Sequence, residues 1–190
     1  RYQVIAYDLM GHALIDLGLH DRAVELSQRA LALLDASKIM FWRPRIEANL
    51  AIASVRLGRL DVAPLLDKAL GHARANREGI QLLRCLEGLA ELALARGDRA
   101  ACAGFAGDLL RLAERGSLRE AAVLARRWRG EALADAAELR DAAAAADALG
   151  RVRLQRDLAL ALAKLEPKGA HAARAQALSE LLEKEAKACA

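Results

Sequence analysis

The chain has 190 residues, 55% of them apolar but only 3% aromatic, and 29 Lys and Arg against 25 Asp and Glu give a formal charge of +4. The apolar content is mostly Ala and Leu and there are only three prolines, which argues against a sheet-built fold and for helix throughout, because Ala loses no side-chain entropy in a helix and Leu little. No run of 18 apolar residues occurs without a charge, which excludes a membrane-spanning helix, and the mild charge, interleaved along the chain, is the pattern of solvated helix faces.

Taken in chain order, helical spacing of apolar residues predicts helices over 2–17, 21–37, 44–57, 60–74, 79–96, 99–115, 118–134, 138–149, 151–165 and 170–188. The opening RYQVIAYDLMGHAL carries neither an initiator Met nor a cleavable signal pattern, and reads as part of a longer, cytoplasmic protein. Between the second and third helices, KIMFWRPR (38–45) places Met40, Phe41 and Trp42 where a polar linker is expected. They are read as a plug between two hairpins rather than as an exposed contact patch. Pro44 suits the first turn of its helix, whereas Pro64 sits less comfortably in the next one.

The chain also repeats itself. Turn glycines stand at Gly18, Gly58 and Gly97. Seven residues before each is a small residue (Gly11, Ala51, Ala90), and about five after each is another (Ala23, Ala63, Cys102). Small residues let two helices approach closely, and the glycine takes the conformation that ends the first of them. A fourth, degraded copy carries Gly130 and turns without glycine near Asp135–Leu139; a fifth turns at Pro167-Lys168-Gly169. One hairpin cannot bury its own apolar face, but stacked hairpins can. The expected fold is therefore all-α, an α-solenoid of about five antiparallel hairpins (1–37, 44–74, 79–115, 118–149, 151–188) in a single domain.

This pattern resembles the tetratricopeptide repeat. Tyr7, Met10, Gly11, Leu14, Gly18, Ala23 and Ala30 carry the likeness in the first copy. Leu50, Ala51, Gly58 and Ala63 carry it in the second, and Leu86, Leu89, Ala90, Gly97 and Cys102 in the third. The period is 39–40 residues rather than about 34, and Ser27 and Asp67 stand where the second helix of the family has an aromatic. The longer period and phrases such as LARGDRAACAGFAGDLLRLAERGS and ARRWRGEALAD are similar to the helical tail of large bacterial signalling proteins. In these an NTPase precedes the repeats, sometimes with a nucleotide cyclase or a DNA-binding domain (MalT-like regulators).

Chemistry-bearing motifs are sparse. The tripeptide RGD (96–98) reads as an interhelical turn. No GxxxxGK[ST] occurs, and His12, His20, His72 and His171 form no i, i+4 pair to hold a metal. Cys85, Cys102 and Cys189 are far apart and read as reduced thiols, with Cys102 as a small core residue. No catalytic residue, cofactor or metal is expected, and the chain is read as non-enzymatic. ARRWRG (125–130) could stack and bind phosphates, but Glu120, Glu131 and Asp135 are mixed in, so Trp128 is read as packed against the preceding hairpin.

The resemblance implies that the first helix of each pair lines a concave groove. Its phases point to Asp8, His12, Ile15, Arg45, Ala48, Ile52, Arg84, Glu87, Glu91, Arg127 and Glu131. That surface would take a peptide, a partner protein or a neighbouring domain of the same parent chain. The rival expectation is a helical nucleic-acid binder, marked by basic residues on one face.

Overall fold

The computed structural model describes residues 2–37 and 40–188. Lys38 and Ile39 of the KIMFWRPR stretch and Cys189 lie outside the described residues. Among those described are ten helices and no strand: α1 (Tyr2–Asp16), α2 (His20–Ser37), α3 (Arg43–Arg56), α4 (Ala63–Ala75), α5 (Gly79–Ala95), α6 (Arg99–Arg115), α7 (Arg119–Leu133), α8 (Ala136–Leu149), α9 (Val152–Leu165) and α10 (His171–Ala188). None is long and apolar enough to cross a membrane. The helices fall into two compact units, Arg1–Asp98 and Arg99–Ala190. In the first, α1 packs on α2, α2 on α3, and α3 and α4 on α5. In the second, α6 packs on α7, α7 on α8, α8 on α9 and α9 on α10. The chain is an all-α helical repeat, and within each unit neighbouring helices cover one another.

The turns show why the phrase recurs. Gly18, Gly58 and Gly97 have φ of 79°, 78° and 78°, the left-handed region. At each, two backbone bonds close the helix end: Gly18 N–H donates to Ile15 O (3.2 Å) and Leu19 N–H to Leu14 O (2.9 Å). The same pair joins Gly58 to Val55 and Arg59 to Ser54, then Gly97 to Leu94 and Asp98 to Ala93. This double closure satisfies carbonyls that the helix leaves open. The RGD tripeptide is one copy of this turn.

The structure adds three turns that the glycine pattern hides. Arg77, Ser117 and Ala134 adopt φ of 56°, 53° and 55° and make the same closures, with Glu78 bonding Ala73, Leu118 bonding Ala113, and Asp135 bonding Gly130. Left-handed backbone costs an ordinary residue roughly 1–2 kcal/mol, so the packing on either side must hold these turns. At Ala134 the turn is shorter than the sequence suggests, because Asp135 at once caps α8, its carboxylate accepting from the Ala137 and Glu138 N–H groups (3.0 Å each). In the second hairpin α4 begins at Ala63 rather than residue 60. Pro64 has no N–H to give and is tolerated only in the first turn. Ala63 is consequently half-buried at a helix start instead of sitting at a crossing, and Leu66 and Ala69 are the buried residues there.

The helix crossings follow the small residues. Ala23, Ala30, Ala51, Ala90 and Cys102 are fully buried. Gly11 faces Ser27, where a Cβ would stand 3.7 Å from the hydroxyl. Gly88 and Gly130 are tighter: a Cβ would lie 2.7 Å from Leu66 Cδ2 and 2.8 Å from Leu139 Cγ. Trp42 is half-buried against the cluster of Val4, Ala30, Leu34 and Ile46. Met40 and Phe41 are exposed, Phe41 meeting Trp42 edge-on at 5.3 Å. The plug is thus one residue, Trp42, and its two neighbours face outward.

The left-handed turns give a paired expectation. Gly58→Ala should lower unfolding stability by about 1 kcal/mol, while Ala134→Gly should raise it by a comparable amount. Urea denaturation of the two variants beside the parent chain measures both signs.

Candidate partner-binding surface

The positions assigned to a groove lie on α1, α3, α5 and α7, and in the first unit helical spacing sets charged and amide side chains of α1, α3 and α5 in one row. Asp8 of α1 accepts from Asn49 Nδ2 of α3 (2.9 Å) and lies 2.7 Å from Arg45 Nε. Asn49 Oδ1 in turn accepts from Arg84 Nε of α5 (2.6 Å), and Arg84 also donates to Glu87 (2.5 Å). About two turns further along, Arg56 of α3 forms a two-pronged pair with Glu91 of α5 (2.6 and 3.0 Å) and donates to the Ile15 carbonyl (3.3 Å). A two-pronged guanidinium–carboxylate pair fixes orientation as well as charge. The first unit therefore carries a polar ladder across three helices.

The ladder is mostly hidden. Asp8, Asn49, Arg84, Glu87 and Glu91 are buried, whereas His12, Arg45 and Arg56 are part-exposed. Burial pushes the Asp8 carboxyl above its ordinary range, outweighing the downward pull of Arg45, Arg84 and Asn49. His12 moves the other way, to about 4, chiefly because the Arg84 guanidinium repels a second positive charge, with burial adding to it. Its ring stays neutral beside Asp16, 3.9 Å away. On the α3–α5 face behind the ladder, the Cys85 thiol is pushed up to about 12 by burial and by Glu47, which leaves it inert as a nucleophile.

The second unit carries a comparable cluster. Arg127 of α7 donates to Glu131 (2.8 Å) and to Asp157 of α9 (3.2 Å). Asp157 also accepts from Arg156 (2.6 Å) and lies 3.5 Å from Arg153 Nε. Lys164 reaches Glu131 at 3.5 Å. Trp128 is 2% exposed, so it has no face to offer a base; its ring lies under the Arg127 guanidinium at 3.8 Å. Its carbonyl is 3.6 Å from Cys102 Sγ, a buried free thiol. Arg129 is held by Glu138 (2.9 and 3.0 Å to Nε).

Three of the assigned groove residues are corrected. Ile15 and Ile52, together with Ala48, are fully buried, and the two isoleucines belong to a core cluster with Ala23, Val24 and Ala53. They hold α1, α2 and α3 together and present no surface. The structure brings Asp8, Arg45, Arg84 and Glu87 into one connected set, puts His12 beside it, and joins Glu91 to its flank through Arg56. In the other unit it joins Arg127 to Glu131. Sequence reasoning missed Asn49, Arg56, Asp157 and Lys164. A signal for two of them was present, since Asn49 and Arg56 stand seven apart on one face of α3 and answer Asp8 and Glu91 at about one repeat's distance. An open cleft in the second unit, between α8, α9 and α10, is lined by Arg140, His171 and Arg174. Its charges are engaged: Arg140 and His171 with Glu166, and Arg174 with Asp147. Comparison of the chain with protein-family models and with curated proteins returns no match.

Two outcomes follow from the ladder. Asn49→Leu strands Asp8 and Arg84 together and should cost about 2 kcal/mol or more, because buried charged groups lose their partner. Lys68→Met, whose ammonium is 67% exposed 3.7 Å from Glu47, should change stability by less than about 0.5 kcal/mol. Chemical denaturation at neutral pH compares them. For His12 the sign is set by a folded value below the unfolded one. Its contribution is fully present above pH 6.5 and is lost as the pH falls toward 4. An NMR titration should find His12 titrating near 4, and Arg84→Gln should return it toward 6.5.

Proposed function

We propose that the chain is a protein–protein interaction module of the tetratricopeptide-like kind, catalysing nothing itself. In this reading it is the repeat region of a bacterial regulator of the MalT-like type. It would take a peptide, a partner protein or an adjacent domain on the row formed by the first helices. The observation that carries the reading is the connected ladder from Asp8 through Asn49 to Arg84 and Glu87. It fixes the three helices in register, so that the part-exposed His12 and Arg45 beside it stand on a rigid surface. A rigid, partly polar row suits an extended or helical segment, which gains affinity when the receptor loses little freedom.

The same ion pairs disfavour nucleic acid. Arg43, Arg45, Arg56, Arg84, Arg127, Arg129, Arg140, Arg151, Arg156 and Arg174 all have carboxylate partners. A guanidinium already neutralised releases few counterions from a phosphate backbone.

The test is site-specific photocrosslinking in cells. A benzophenone side chain at position 12 should give a discrete protein adduct, or an internal link to a neighbouring domain of the parent chain. The same probe at Glu25, on the exposed side of α2, should give none. Adducts to nucleic acid from position 12, or indistinguishable patterns from both positions, would contradict the reading.

A further inference from the structure

A helix in the middle of a stack needs two apolar flanks, and a helix at the end needs one. Setting α1 against α3 at the 40-residue offset that pairs Gly11 with Ala51 matches their buried residues: Val4 with Pro44, Asp8 with Ala48, Ile15 with Val55. One set does not match. Trp42, just ahead of α3, and Ile46, Asn49, Leu50 and Ala53 within it are buried or half-buried, whereas Tyr2, Ala6, Leu9, Met10 and Ala13 of α1 are exposed. These five are apolar, and their spacing places them on one face of the helix, with exposed Gln3 at its edge. Tyr2, Leu9 and Met10 are 86%, 58% and 52% exposed.

The covered copies say what such a face receives. In α3, Ile46 packs with Ala30 and Leu34 of α2, and Ala53 with Ala23 and Val24 of the same helix. In α5 the matching residues, 39 further on, are Gln81, Cys85, Gly88, Leu89 and Leu92, all buried. There Gly88 meets Leu66 of α4 and Ile52 of α3, and Cys85 meets the Pro44 carbonyl. Twice, therefore, this face is filled by the preceding hairpin, with its second helix laid alongside.

We propose that the outward face of α1 is a docking site for another helical hairpin of this repeat type, seated through its second helix as α2 is seated on α3. The proposal is independent of the groove reading, since these five residues lie outside the polar ladder. The occupant is a hairpin rather than a second copy of the chain, because both covered copies of this face, on α3 and α5, are filled by the hairpin that precedes them. The exposed face of α10, by contrast, sets Leu181 among Gln176, Glu180, Glu183, Lys184 and Lys187.

The experiment fuses a duplicate of residues 1–40 ahead of residue 1, continuing the period, and compares it with the 190-residue chain. The duplicate should fold onto α1, raise the urea midpoint and slow peroxide oxidation of the original Met10 roughly ten-fold, as burial shields a thioether. Met10→Lys in the original α1 should abolish the midpoint gain in the fusion yet leave the stability of the 190-residue chain unchanged, since the residue is exposed there. A duplicate that stays protease-sensitive, or a midpoint gain that survives Met10→Lys, would overturn the proposal. So would self-association of the 190-residue chain that Met10→Lys removes, which would give the face to a second copy.

Discussion

Close approach of neighbouring helices is the constraint on which the other features rest. Fully buried Ala23, Ala30, Ala51 and Ala90, with glycine at 11, 88 and 130, keep side-chain bulk out of the crossings. Larger residues such as Ile15, Leu34, Ile46 and Ile52 then fill the space around them. With so few aromatics, no single side chain can anchor a hairpin, and the core is built from many small contacts between consecutive helices. Apolar burial of this kind is non-directional. It holds the stack together without by itself setting the register of one helix on the next.

Register comes from two directional devices. The left-handed turns fix where each helix stops, at Gly18, Gly58, Arg77, Gly97, Ser117 and Ala134 alike. The polar ladder fixes how α1, α3 and α5 lie along one another. A slip of one turn would carry Asn49 away from both Asp8 and Arg84 and leave buried charges without partners, which is costly. The ladder also explains why His12 is neutral: the neighbouring guanidinium that bonds Asn49 and Glu87 leaves no room for a second cation.

Much of this was legible in the sequence. Ala and Leu content gave the helices, and the glycine phrase gave the turns at 18, 58 and 97. What escaped has physical reasons. Arg77, Ser117 and Ala134 have side chains that do not advertise a left-handed backbone, so tertiary packing rather than propensity sets those turns. Pro64 displaced the start of α4, which moved Ala63 out of the crossing. In the candidate surface, the charged positions singled out include the buried Asp8, Arg84, Glu87 and Glu91, and Ile15 and Ile52 were assigned to a groove. Phases borrowed from a shorter repeat do not reveal that these helices are covered on two sides. Asn49 was passed over because an amide between two charges has no local signature; its meaning lies on α1 and α5.

If neighbour covers neighbour, stability must be graded along the first unit. Residue-resolved native-state hydrogen exchange measures this directly. The amides of α3, packed by α2 on one side and α5 on the other, should open only near the global unfolding free energy. Those of α1, bare on its outer flank, should open at a distinctly lower one. Equal opening energies for α1 and α3, or an α1 that outlasts α3, would contradict the account.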